Sequence, residues 1–331
     1  MIKALVLSEL RQRIRGKRWW ALLAIWTLIL FGLTALVRNG AAGQQAFTPG
    51  PAPLGPVMFG SLALFVLGLA CLVIPSLTST AINSERDKGT LAVLQSTLFT
   101  ARRILAAKFL GAMVVALAFL AATIPLALWC LSEGGASVGK MVVVYLLLVL
   151  ACALLVMLGL AASALIRKPS LSAVAAYAVV FLMTAGSPII FGLSLLGAPE
   201  VAFERQIGWR WAILAPDPFI VLADAAPRSD DSVMISDPLN AIRDSVRDAR
   251  RPPMRFDPQT GLPIDPRTGE PIDPNSGSFE VLFPEDEVEE PPALWPLGMA
   301  MQAGLALGAA AVVLKKLKIP AHRLAVGERV A

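Results

Sequence analysis

One histidine and three cysteines in 331 residues leave almost nothing from which to build a metal or disulfide framework. His322 stands alone near the C-terminus, so a histidine-based metal site lacks further ligands, and no CxxC pair offers zinc or redox spacing. Cys71, Cys130 and Cys152 fall within apolar runs, where a thiol packs as a small apolar side chain. Charge is scarce too: 16% of the residues are charged against 56% hydrophobic, with a mean hydropathy of +0.67. That balance excludes an ordinary globular domain and places the chain in the membrane class.

The scarcity is concentrated. A helix crossing the ~30 Å hydrocarbon layer needs roughly 20 apolar residues, and six runs qualify: 21–37, 57–81, 109–131, 141–166, 171–196 and 294–314. None contains Asp, Glu, Lys, Arg or His. Trp19 and Trp20 extend the short first run as an interfacial belt. The basic stretch ahead of that run is too long for a signal peptide, so an uncleaved first span is expected. Proton- and voltage-driven carriers keep ionisable groups along their path. Spans this empty call for energy supplied by a partner.

What charge there is sorts by position. Six basic residues precede the first run, five lie in residues 82–108, Arg167 and Lys168 link the fourth and fifth runs, and five more follow Leu314. The other short links carry only Arg38 and Lys140. The positive-inside rule then puts both termini, residues 82–108 and the Arg167 link in the cytoplasm. Residues 197–293, with nineteen acidic and nine basic residues, fall outside by counting helices.

Residues 82–108, "INSERDKGTLAVLQSTLFTARRILAAK", interrupt two apolar runs with charge. Leu91, Leu94 and Leu98 recur at helical spacing, Thr90 follows Gly89 as an N-cap, and Thr100 caps a second helix running into span three. Periodicity alone allows either a docking helix or a hairpin that snorkels its basic residues to the headgroups.

This stretch resembles the cytoplasmic loop of type-2 ABC exporter permeases, in which a charged run ending in Gly-Thr-Leu precedes a short coupling helix and a Lys leads into the next span. The matching positions are Glu85, Arg86, Lys88, Gly89, Thr90, Leu91 and Lys108. The layout is similar as well: a basic amphipathic N-terminal segment, six spans, and an external excursion between spans five and six. That excursion is nearly a hundred residues here, where family members have two small re-entrant helices, and Ala92 stands where a second acidic residue is common.

The resemblance implies an all-α integral membrane fold with six transmembrane helices, an amphipathic elbow helix at 1–20, and spans one to five within 21–196. A long extracytoplasmic loop at 197–293, span six at 294–314 and a cytoplasmic tail at 315–331 complete it. It implies a permease subunit of an ATP-driven exporter in a plasma membrane, catalysing nothing itself. ATP and magnesium would be bound by cytoplasmic ATPase subunits docking on Glu85, Arg86, Lys88, Gly89, Thr90, Leu91, Leu94 and Leu98. The other partners implied are a second permease copy, identical or not, and membrane lipids; no nucleic acid is expected. The alternative is a membrane-anchored scaffold that transports nothing and binds an external partner through its acidic loop.

Several smaller features complete the reading. "GGASVGKM" at 134–141 satisfies GxxxxGK, but Met141 stands where a magnesium-holding Ser or Thr belongs, and its flanks are spans, so it reads as chance. Ala300, Gly304 and Gly308 in span six, and Gly159 with Ser163 in span four, suggest close helix crossings within the bundle. Ser61, Ser76, Thr123, Thr184 and Gln302 are the polar side chains available to a path or to packing. In the long loop, residues 209–227 are expected to form short interfacial or re-entrant helices. "DPLNAIRDSVRDAR" is expected to form an amphipathic helix with Asp237 as N-cap and Pro238 in its first turn. An octapeptide repeat from Asp257 to Glu280 offers serial Asp-Pro and Thr-Gly turns, a polar linker rather than a calcium site.

Overall fold

A computed structural model describes residues 17–45, 53–87, 100–196, 210–229, 237–250 and 292–317, together with positions 257, 260, 262 and 264. Without water in the hydrocarbon layer every backbone donor and acceptor must be satisfied within its own segment, so the apolar runs have no alternative to helix. All six fold that way. The spans are Trp19–Gln44, Gly55–Arg86, Ala101–Ser132, Val138–Leu165, Pro169–Ser194 and Trp295–Leu317, numbered one to six below. The described residues contain no β-strand.

Helix starts and breaks follow local chemistry. Pro56 and Pro169 occupy first-turn positions where a missing N–H costs nothing. Span four opens at Ser137, whose hydroxyl accepts from Lys140 N at 3.1 Å. Thr100 precedes span three in extended conformation as an N-cap should, but its hydroxyl makes no capping bond. Span three breaks at Thr123 and restarts as Ile124–Ser132 with a Pro in its first turn. Span five carries a π turn at Leu182–Gly186 just ahead of Pro188, where the ladder must accommodate the absent donor. The tight link between spans three and four turns on Gly134 and Gly135, both at positive φ (81° and 75°).

Span two is the central helix. It packs against spans one, three, four and five, and Met58, Leu62, Val66, Leu67 and Ile74 along it are buried. Span four fills the other half of the core and carries span six on its flank.

The described parts of the 197–293 segment are not a loose excursion. A 3-10 turn, Trp211–Leu214, packs against the end of span five, a helix, Pro218–Ala225, tucks against spans four and six, and the helix Pro238–Asp248 packs on that helix and on span two. Asp237 caps the last of these as expected, accepting from Leu239 N at 2.9 Å. Of the octapeptide repeat, the first copy shows a turn in which Thr260 Oγ1 donates to Asp257 Oδ2 at 2.7 Å.

Some expectations change. Arg38 and Lys140 do not sit in loops: each belongs to a span helix. The stripe Ala300, Gly304 and Gly308 does not cross a neighbour. All three positions are exposed, and a Cβ added at Gly304 or Gly308 would meet nothing within 4 Å. Span six instead turns Gly298, Gln302, Ala309, Val313 and Leu317 inward. Gly159 does mark a close crossing, since a Cβ there would overlap the Thr78 side chain of span two. Of the elbow segment, residues 1–16 lie outside the described residues, and Lys17–Trp20 continue directly into span one.

Candidate functional site

Arg86, Arg102, Arg103, Lys108, Arg167, Lys168, Lys315 and Lys316 gather at one end of the bundle, called here the basic end. Span two reaches it through Thr78, turns at residues 79–82 and continues as a short helix, Asn83–Asp87. This turn is held by a set of polar contacts to three other spans.

Span three supplies Lys108. Its ammonium is 2.6 Å from Glu85 Oε1 and donates to Ala81 O at 2.9 Å, with its side chain only 4% exposed. A cation so far from water is tolerated only when charge and hydrogen bonds replace the lost hydration. Span four supplies Ser163, whose hydroxyl accepts from both Ile82 N (2.9 Å) and Asn83 N (3.1 Å), satisfying donors that the turn leaves without helical partners. Asn83 returns the contact, its side-chain amide donating to Ser79 O and Ile166 O, each at 3.4 Å. Span five supplies Ser172, whose hydroxyl donates to Ser79 O at 2.6 Å. The end of span two is thereby fastened to spans three, four and five at once.

Of the residues singled out for docking, Glu85 and Arg86 lie on the short helix at this turn. Lys88, Gly89, Thr90, Leu91, Leu94 and Leu98 lie outside the described residues. The sequence motif contained Glu85 and Lys108, and the fold brings them together. Nothing in the motif points to Asn83 or Ser172. Their one signal is position, a polar residue at the edge of an apolar run.

The opposite end has a second polar cluster. Lys140 Nζ lies 2.5 Å from Asp237 Oδ2 and donates to Ser229 Oγ at 2.8 Å, with both charged side chains essentially without exposure. The GxxxxGK lysine thus serves as the anchor of the helix Pro238–Asp248. Gly60 of span two faces Asp237 so closely that a Cβ there would overlap the carboxylate. Nearby, Arg243 donates to the carbonyls of Ala223 (2.9 Å), Asp224 and Ala226, tying the two short helices together. Asp217 caps the helix Pro218–Ala225 through Phe219 N at 2.8 Å, and burial pushes its carboxyl up to about 7. At the rim, Arg38 Nε lies 2.6 Å from Glu133 Oε1, and the hydrogen bond from Arg38 holds the Glu133 carboxyl below its ordinary range.

Polar side chains within the spans bond either to another element or to their own helix backbone. Thr123 pairs with Tyr145 at 2.7 Å, Thr184 donates to Val180 O, Ser76 to Val73 O, and Gln302 to Pro216 O at 3.3 Å. Among the described residues no group of three or more His, Cys, Asp or Glu is placed to hold a metal ion.

Six apolar helices with charge confined to their ends define a multi-pass helical membrane protein. The family model described as ABC-2 family transporter protein matches residues 3–227, spans one to five and the helix Pro218–Ala225 included, and the chain belongs to that family. It is a membrane transport permease. Among curated proteins the chain finds no match.

Proposed function

We propose that the chain is the permease subunit of an ATP-driven exporter, paired with a second permease and with two cytoplasmic ATPase subunits that bind ATP and magnesium. Both termini and the basic end face the cytoplasm of a plasma membrane, and the ATPase docks on the segment from Glu85 to Leu98. The observation that carries this reading is the anchored turn at Ser79–Asp87. A push on the segment that follows it would be delivered to spans two, three, four and five together through Lys108, Ser163 and Ser172. That is what a subunit whose charged side chains are confined to the ends of its spans needs if energy enters from outside the membrane.

The test is co-purification of the tagged full chain from its own cells in mild detergent. A stoichiometric P-loop ATPase that is lost in Gly89→Trp supports the reading. A chain that carries no ATPase, or keeps it in that variant, removes the coupling assignment, and the absence of any ATPase moves a non-transporting scaffold ahead.

A further inference from the structure

At the basic end, between spans three, four and six, an apolar cleft of about 220 Å³ opens on the surface of the bundle. Its walls are Leu105, Ala106 and Phe109 of span three, Met157 of span four, and Ala310 and Leu314 of span six. Arg102 stands at its rim. Around it the bundle turns apolar side chains outward, Leu110 at 43% and Leu307 at 72% exposure, as a surface immersed in lipid does.

The charges lie at the helix ends that bound the cleft. Arg102 and Arg103 are exposed in the first turn of span three, and Lys315 and Lys316 in the last turn of span six, directly after the lining residue Leu314. None of the four is ion-paired with another described residue. An apolar trough ending in several uncompensated cations has the complementary shape and charge of one molecule class. We propose that the cleft binds one anionic phospholipid of the adjoining leaflet, an acyl chain lying along Phe109, Met157 and Ala310 and the phosphate held by Arg102 and Lys315. A zwitterionic lipid would fill the trough but leave the cations unmatched, and a free phosphate would gain nothing from the apolar wall. Basic residues near a membrane surface favour anionic lipid additively, so clustering four of them makes the preference selective. The inference rests on the proposed topology only for which leaflet is meant.

The experiment is native mass spectrometry of the purified full chain in neutral detergent. It is titrated with phosphatidylglycerol, with phosphatidylcholine of the same chains, and with glycerol 3-phosphate as the free headgroup. One phosphatidylglycerol per chain is expected to bind saturably, at least about tenfold tighter than phosphatidylcholine, with no binding of glycerol 3-phosphate. The surface variant Arg102→Gln/Lys315→Gln/Lys316→Gln is expected to lose the selectivity, and Ala310→Phe, which fills the trough, to lose the bound lipid. Equal binding of the two lipids, or full occupancy retained in both variants, overturns the proposal. A chain that ignores lipid but forms a dimer dispersed by Ala310→Phe assigns the cleft to a second copy and overturns it as well. None of these readouts involves an ATPase, so failure here and failure of the exporter reading are told apart.

Discussion

Lys108, seven residues into span three, reaches back to the end of span two, its ammonium 2.6 Å from Glu85 Oε1 and 2.9 Å from Ala81 O. The contact joins the two sides of the segment from Glu85 to Leu98 at its first residue.

Lys108→Met is expected to separate docking from coupling. Removing one member of a buried pair costs roughly 3–5 kcal/mol, and the partial exposure of Glu85, at 24%, puts this case at the lower end. The thermal midpoint in detergent should fall, while an ATPase that docks on the segment stays bound but no longer drives transport. The reversed pair Glu85→Lys/Lys108→Glu should recover part of the stability lost by either single change. A single change as stable as the parent would show the pair to be dispensable.

Asp237→Ala leaves Lys140 as an uncompensated buried ammonium and is expected to destabilise by roughly 3–5 kcal/mol. The apolar double variant Lys140→Met/Asp237→Leu should be far milder than that single change, because it abolishes both desolvation penalties. Unfolding followed by helical circular dichroism in mixed detergent compares the two.

Two glycines that look alike in sequence should behave oppositely. Gly159→Ala drives a methyl into Thr78 and should cost roughly 1–3 kcal/mol by overpacking. Gly304→Ala meets open space and should be neutral or slightly stabilising, since Ala is the better helix former by about 1 kcal/mol. The same unfolding assay decides.

Stability should depend on pH through Asp217. Burial raises its carboxyl to about 7 from an ordinary 3.8, against the hydrogen bonds from Phe219, Ile220 and Ser187 that oppose the shift. The folded state therefore holds the proton more tightly than the unfolded one. Its contribution is full below about pH 4 and is lost as the pH rises through about 7. Asp217→Asn keeps an N-cap and should flatten the dependence between about pH 5 and about pH 8. A parent chain with a midpoint constant over that range would contradict the assignment.

What the sequence disclosed follows from what the membrane demands. Twenty-residue apolar runs have one structural outcome, so the spans could be read, and Asp237-Pro238 marked its helix because capping is local chemistry. The facing of the spans could not be read. Lipid-exposed sides are as apolar as the core, so Ala300, Gly304 and Gly308 looked like a packing stripe while the helix presents Gln302 and Val313 inward instead. The anchoring residues were hidden for another reason. Lys140 finds Asp237 across 97 positions and Ser172 finds Ser79 across 93, separations at which spacing carries no signal.

Asp224 Oδ2 accepts from Leu294 N at 2.6 Å and Trp295 N at 2.8 Å, so the first turn of span six is capped by a carboxylate 70 positions upstream. The point where the chain leaves the bundle and the point where it returns are thus fixed to each other. Between them the helix Pro238–Asp248 is itself tied to span four through Asp237 and Lys140, so added length after Asp248 closes a loop whose two ends are already held, and it costs only the slow logarithm of loop closure. The ABC-2 match ends at residue 227, three positions beyond that carboxylate. The chain can therefore carry an insertion of almost any size outside the bundle, as a hinge pin lets a door be replaced without moving its frame.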